Sequence, residues 1–118
     1  MTKKTLNVDL DGTLIFTYNK GLSGQILNES KLLPGVLETF EAWDRKGCNI
    51  ILETGRRNSM RKQTERILQE LGLYWDQLVM GVGGGPRYII NDRKPDGQDT
   101  AFAINLNRNE GIGSLIDL

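Results

Sequence analysis

Histidine is absent from all 118 residues. That removes Ser-His-Asp and Cys-His catalysis, His-ligated zinc and phosphohistidine chemistry in one step. Cys48 is the only cysteine, so no internal disulfide can form, and the residue is expected to pack rather than react. A cysteine phosphatase would carry an arginine six residues after its nucleophile, but Thr54 stands there and Arg56 comes two residues later. Net charge is lacking too: 15 basic and 15 acidic side chains cancel, which favours neither nucleic acid nor an anionic membrane surface. No stretch approaches the roughly 18 apolar residues that span a bilayer, and Met1 to Lys4 is polar, so a cytoplasmic protein is the expectation. With 38% hydrophobic and 25% charged residues, the composition suits one globular domain over residues 1–118. If the chain is an enzyme, carboxylates and a hard metal must do the work.

The hydrophobic pattern alternates between strand and helix signals. Thr5 to Leu10 (TLNVDL) reads as a first strand ending at the turn-forming pair Asp11-Gly12. Phe16 to Ser30 is polar and aperiodic, and reads as a loop or small hairpin flap. Pro34 suits the first turn of a helix with Val36, Leu37, Phe40 and Trp43 on one face and Gly47 at its end. Asn49 to Glu53 (NIILE) is a second buried strand. Ser59 to Leu71 predicts a helix, with Met60, Ile67, Leu68 and Leu71 at helical spacing before Gly72. Further strands are predicted near Gln77 to Val82, Arg87 to Asn91 and Ala101 to Leu106. Connections too long for hairpins imply an α/β fold with a mainly parallel sheet covered on both faces. Ligands of such sheets bind beyond the carboxyl ends of the strands, where Asp9-Asp11, Thr54-Gly55 and Asn91-Asp92 are expected. Gly81 to Pro86 (GVGGGP) fails as a dinucleotide fingerprint, because Pro86 takes the sixth place and a strand is expected to follow; a tight loop near the site is the reading.

Asp9-Leu10-Asp11-Gly12-Thr13 carries most of the chemistry. Residues i and i+2 of an extended chain point the same way, so both carboxylates can face one site. Asp-Gly between apolar residues is equally a hairpin signal. A calcium loop is ruled out: counted from Asp9, its glycine and glutamate places hold Leu14 and Lys20. Thr54-Gly55-Arg56, between a strand and a helix start, offers a hydroxyl and backbone N–H groups that could cradle a phosphoryl group. Taken alone, it is also an ordinary strand-to-helix turn.

In this order and after these strands, the segments resemble the haloacid-dehalogenase superfamily of phosphohydrolases, from about Thr5 to Leu106. The resemblance implies a Rossmann-like three-layer sandwich. It implies Asp9 as nucleophile, Asp11 as general acid/base, Thr54 as the phosphate-binding hydroxyl, and Mg²⁺ held by Asp9, Asp11 and Asp92. Gly55 and Arg56 would complete the phosphate loop. Two positions depart from the pattern. The last motif has Asn91 where many members carry an acid, and no lysine precedes it between Lys62 and Lys94. Lys94 and Arg87 are the substitutes, with Lys94 ahead because Arg87 is expected to start its strand at the opposite edge.

The function so implied is a Mg²⁺-dependent phosphatase that hydrolyses a phosphate monoester through an aspartyl-phosphate. The intervals between motifs leave no room for a cap domain, and capless relatives often close their sites with a neighbouring subunit, so a homo-oligomer is expected. A phosphorylated small molecule such as a sugar phosphate is the expected substrate. Arg56, Arg57, Arg61 and Lys62 could guide it, or simply form a solvated face. A non-catalytic phosphate-binding module and a phosphatase of protein or nucleic-acid ends are the alternatives.

Overall fold

The structure, a computed structural model, describes residues 3–17 and 30–118. Three short strands form one parallel sheet in the order β1-β2-β3: β1 (Thr5–Asp9), β2 (Asn49–Glu53) and β3 (Gln77–Val79). Two helices connect them, α1 (Val36–Arg45) and α2 (Arg61–Glu70). The chain is therefore a small α/β protein built from two consecutive β-α-β passages. The expected flap between Phe16 and Ser30 lies, apart from its ends, outside the described residues. Those ends meet, because Ile15 and Leu32 form an antiparallel bridge.

Local chemistry explains each element. α1 starts after Gly35, whose φ of 78° favours glycine, with Glu38 in its first turn and Arg45 in its last to complement the helix dipole. It buries Val36, Thr39, Phe40 and Trp43, the i, i+3, i+4, i+7 stripe of an amphipathic helix. Leu37 departs from expectation: one residue on from Val36, it turns outward and is exposed. Gly47, at φ 72°, ends the helix with its N–H on the Asp44 carbonyl at 2.9 Å. α2 begins two residues later than expected, after a 3-10 turn over Asn58–Met60, and its buried contacts are Thr64 and Leu68. Met60, Ile67 and Leu71 are only partly buried, and of the three Leu71 packs against the core.

The core gathers Val8, Leu10, Leu14, Phe40, Trp43, Ile50, Leu52, Leu68 and Ile112. Phe40 lies 5.4 Å from both Trp43 and Tyr74, centroid to centroid, and the Tyr74 hydroxyl donates to the Phe40 carbonyl at 2.8 Å. Burial pushes the Tyr74 phenol up to about 12. The C-terminal segment closes over α1, where the Trp43 indole N–H donates to the Leu115 carbonyl.

Two expected strands do not form. Among the described residues, 87–91 and 101–106 pair with no strand; both runs are largely exposed on an arm, with Leu106 returning against the core. Tyr88 is 86% exposed, Ile90 94% and Phe102 74%. The arm folds back on itself: the Asn91 amide donates to the Thr100 hydroxyl, that hydroxyl donates to the Asp92 carbonyl, and Arg93 pairs with Asp99 at 2.7 Å. Its tip is a turn in which the Gly97 N–H meets the Lys94 carbonyl. A run such as Tyr-Ile-Ile has the composition of a buried strand, but a strand exists only where a neighbour supplies its hydrogen-bonding edge. The molecule has extents of 49 × 29 × 25 Å and a radius of gyration of 14.8 Å, against about 13.5 Å for a compact chain of this length. Among the described residues, no helix is long and apolar enough to cross a membrane.

Candidate active site at the carboxyl edge of the sheet

Asp9 is the last residue of β1 and lies in register with Glu53, the last of β2. The chain then turns sharply. The Leu10 carbonyl accepts the N–H groups of Thr13, Leu14 and Ile15, while Gly12 sits at φ 87°. A side chain at Gly12 would be strained by that φ and would press within 3.2 Å of Arg108 and Thr17. The returning chain seals the same turn: the Asn109 N–H donates to the Gly12 carbonyl at 2.7 Å, and the Asn109 amide exchanges hydrogen bonds with the Thr17 backbone.

Asp9 and Asp11 are held very differently. The Asp9 side chain is 40% exposed. Its Oδ2 accepts the Thr13 hydroxyl at 3.2 Å, and its Oδ1 lies 3.5 Å from Arg87 Nη2. Burial raises the Asp9 pKa; Arg87 and the Thr13 hydrogen bond pull it back, and the charge of Asp11 adds to the rise. Asp11 is gripped on both oxygens. Arg56 Nη2 donates to Oδ1 at 2.8 Å, Arg56 Nε lies 3.2 and 3.3 Å from the two oxygens, and the Thr54 hydroxyl donates to Oδ2 at 2.9 Å. The same Thr54 hydroxyl accepts the Arg56 N–H at 3.1 Å, so it orients the arginine that holds Asp11. Arg56 is 1% exposed, and its Nη1 has no hydrogen-bond partner among the described residues.

The residues singled out in the sequence thus fall into two groups. Asp9, Asp11, Thr54, Gly55 and Arg56 converge at the ends of β1 and β2. Gly55 is exposed and lets the chain pass close to the Val82 carbonyl, which would lie 3.1 Å from an added Cβ. Thr54 and Arg56 are buried and turned onto Asp11 instead of facing outward to an anion. Asp92 and Lys94 are exposed on the arm, where their backbones bond to Thr100, Gly97 and Gln98 of the same arm. The expected positions of the two cations are reversed: Arg87 is at the Asp9 edge, 3.6 Å from Glu53 as well, because no strand carries it to the opposite edge. Arg61 is committed to structure, reaching the Leu78 carbonyl at 2.9 Å and Glu65 at 3.3 Å.

Thr13 belongs to the Asp9–Thr13 segment, whereas Glu53, Arg108 and Asn109 stand in no motif of the sequence. Glu53 could have been found as the strand-end neighbour of Thr54; nothing in the sequence marks Arg108 as a neighbour of Gly12, 96 positions away.

Mg²⁺ suits the donors present, which are carboxylate oxygens without nitrogen or sulfur; burial is the main reason the Asp9 pKa is raised, and a cation would offset the smaller contribution from the Asp11 charge. Among the described residues, no group of three or more acidic, cysteine or histidine side chains is placed to hold a metal. Asp9 and Asp11 would together hold an ion that keeps most of its waters only if Arg56 or Thr54 released an Asp11 oxygen.

No protein-family model matches the chain, and no curated protein does. The chain is similar to a protein from Vibrio cholerae known as a crystal structure, with 24% identity over 77% of this chain and 81% of that one, and a TM-score of 0.44. So loose a superposition carries no argument about chemistry.

Proposed function

We propose that this protein is a phosphate-monoester hydrolase, of Rossmann-like α/β layout, in which Asp9 is the nucleophile and Asp11 moves the protons. The observation that carries the reading is the asymmetry of the pair: Asp9 is half exposed beside a cation, while Asp11 is fixed by Thr54 and Arg56 from the next strand's end. A nucleophile must reach its substrate, and a proton carrier must be held in place.

An Asp9 oxygen would attack phosphorus, and the bond to the leaving oxygen would break as Asp11 supplies its proton. Water would then attack the aspartyl-phosphate, giving a proton to Asp11, and the phosphorus–Asp9 bond would break to release inorganic phosphate. Arg87, 39% exposed at the Asp9 carboxylate, is the cation an incoming phosphate meets. Mg²⁺, held by Asp9 and Asp11, would supply charge neutralisation on the phosphoryl oxygens. Asp11 can take a proton only if Arg56 or Thr54 releases one oxygen, so proton transfer is coupled to movement of the arginine. No cap is present among the described residues, which is compatible with a phosphorylated small metabolite, sugar phosphates included.

The grip of Arg56 on Asp11 also favours a second reading, a module that binds phosphate without cleaving it. Hydrolysis of an aryl phosphate with Mg²⁺ and with chelator, on wild type and Asp9→Asn, decides between them. Asp9→Asn should be at least ~10³-fold slower while still folded, the scale of losing a positioned nucleophile. Phosphate binding without turnover in the wild type would leave the binding module.

A further inference from the structure

Glu53 stands at the Asp9 edge with no task in the proposed chemistry. Successive residues of an extended chain face opposite sides. Val8 and Leu10, which flank Asp9, are buried, as are Leu52 and Thr54, which flank Glu53; Asp9 and Glu53 lie in register and so share the other face. Neighbouring strands are about 4.8 Å apart, and two carboxylates side by side at that spacing repel. Arg87 bridges them, with its Nη2 3.5 Å from Asp9 Oδ1 and its Nε 3.6 Å from Glu53 Oε1.

Little else holds Arg87 in that position. It follows Gly83, Gly84 and Gly85, and at each of these an added Cβ would meet nothing within 4 Å, so the approach to Arg87 is unpacked as well as intrinsically free. The backbone is pinned as far as Val82, whose N–H donates to the Thr54 carbonyl at 3.0 Å. Among the described residues, no backbone hydrogen bond involves residues 83–91, and none of their side chains packs against the core. Beyond Arg87, the contacts of Asn91 with Thr100 and of Arg93 with Asp99 stay within the arm. Arg87 is therefore placed by its two carboxylates, and these are not equivalent. Under the proposed function Asp9 must give up its hold in order to attack phosphorus. Glu53 has no such duty. It meets Nε, at the root of the guanidinium, which leaves both terminal nitrogens to donate to phosphoryl oxygens.

We propose that Glu53 is a positioning residue that tethers Arg87 through Nε, so that the terminal nitrogens stand at Asp9 when a phosphate arrives and remain there after Asp9 lets go. This role rests on the proposed function, in which Arg87 receives the phosphate. It reverses the sign that charge alone gives to Glu53. A bare carboxylate beside the site repels a dianion, so neutralising it would tighten phosphate binding. A carboxylate that keeps the receiving cation in place weakens binding when it is lost.

Glu53→Gln keeps the shape and removes the charge. Calorimetric titration of inorganic phosphate, with Mg²⁺ present, should show about 5-fold weaker binding than in the wild type, the upper end for an ion pair this exposed. On an aryl phosphate, kcat/KM should fall by the same order, mainly through KM. Adding Glu53→Gln to Arg87→Met should cost nothing further, because the tether then holds nothing. Thermal unfolding of Glu53→Gln should stay close to that of the wild type, whereas a structural role would lower it and would act equally with and without Arg87. Phosphate binding that is tighter or unchanged in Glu53→Gln, equal losses in the two backgrounds, or a wild type that binds no phosphate each overturns the tether. The hydrolase reading fails separately: a folded Asp9→Asn that keeps its activity removes the nucleophile, whatever the phosphate titrations report of Glu53.

Discussion

Replacing Asp11 by Asn should destabilise the protein, whereas the same change at Asp9 should not. Asp11 accepts from Arg56 Nη2 at 2.8 Å and from Nε at 3.2 and 3.3 Å, with the guanidinium out of solvent. Asparagine keeps the shape but exchanges one acceptor for an amide donor, which would face the Thr54 hydroxyl or Arg56. It also leaves a buried positive charge unpaired, with Nη1 already lacking a partner. Breaking a buried pair from one side costs about 3–5 kcal/mol; the 20% exposure of the Asp11 side chain lets water recover part of that, leaving about 2–4 kcal/mol. For a domain of this size that is a fall in Tm on the order of 10 °C.

Asp9 is the opposite case, since its pKa is raised, foremost by burial. A carboxyl whose folded pKa exceeds its unfolded value of 3.8 costs nothing below that value, and destabilises increasingly as pH rises through the folded pKa. Asp9→Asn should therefore match the wild type in acid and equal or exceed it near neutral pH. Urea unfolding in chelator would measure both variants free of any metal contribution. The reasoning fails if Asp11→Asn is as stable as Asp9→Asn near neutral pH, or if Arg56→Met combined with Asp11→Leu is no more stable than Asp11→Asn alone.

Three further outcomes are expected. Asp11→Asn, although less stable, should show a burst of leaving group from a good aryl phosphate followed by a slow phase, because breakdown of the aspartyl-phosphate loses its base; linear progress at the wild-type rate would give Asp11 a different role. Arg87→Met should lower kcat/KM by ~10²-fold, the scale of losing a phosphoryl-stabilising group, and steady-state kinetics showing no change would place the neutralising cation elsewhere. Tyr74 should contribute stability that is full below pH 10 and declines as pH approaches about 12, because the unfolded phenol ionises first; alkaline denaturation of Tyr74→Phe should be flatter across that range.

Local signals were sufficient wherever the sequence supplied both an element and its boundary. Gly47 and Gly72 end their helices as read, each at positive φ, and Asn49–Glu53 is the buried strand its composition describes. The Asp9-x-Asp11 spacing also brings both carboxylates to the end of β1. What could not be read was who partners whom. Its place after Thr54 makes Arg56 read as a phosphate ligand, yet a guanidinium responds to the nearest carboxylate, and Asp11, two residues beyond the Asp9–Glu53 register, lies 2.8 Å from it. The strand signal at residues 87–91 failed for the same reason: hydrophobic pattern reports an affinity for burial, not the location of the burying surface.

That distinction gives the two arginines different roles at one site. Arg56 is buried, bound through three contacts and oriented by Thr54, so moving it must break several hydrogen bonds together. Arg87 is half exposed and held by two long contacts of 3.5 and 3.6 Å, the first of which an arriving phosphate can replace at little cost. Under the proposed function, an incoming dianion would therefore take Arg87 first. Withdrawing Arg87 removes the largest of the influences that pull the Asp9 pKa down, so the repulsion between Asp9 and the phosphate must be met by something else. A divalent cation between the two carboxylates meets that need, and requires Arg56 to yield an Asp11 oxygen. Metal binding and phosphate binding should then be coupled through the arginines: each should tighten the other, and the coupling should weaken in Arg87→Met, measured by calorimetric titration of Mg²⁺ with and without inorganic phosphate. Equal Mg²⁺ affinity in both titrations of the wild type would separate the two arginines and leave Arg56 a purely structural anchor.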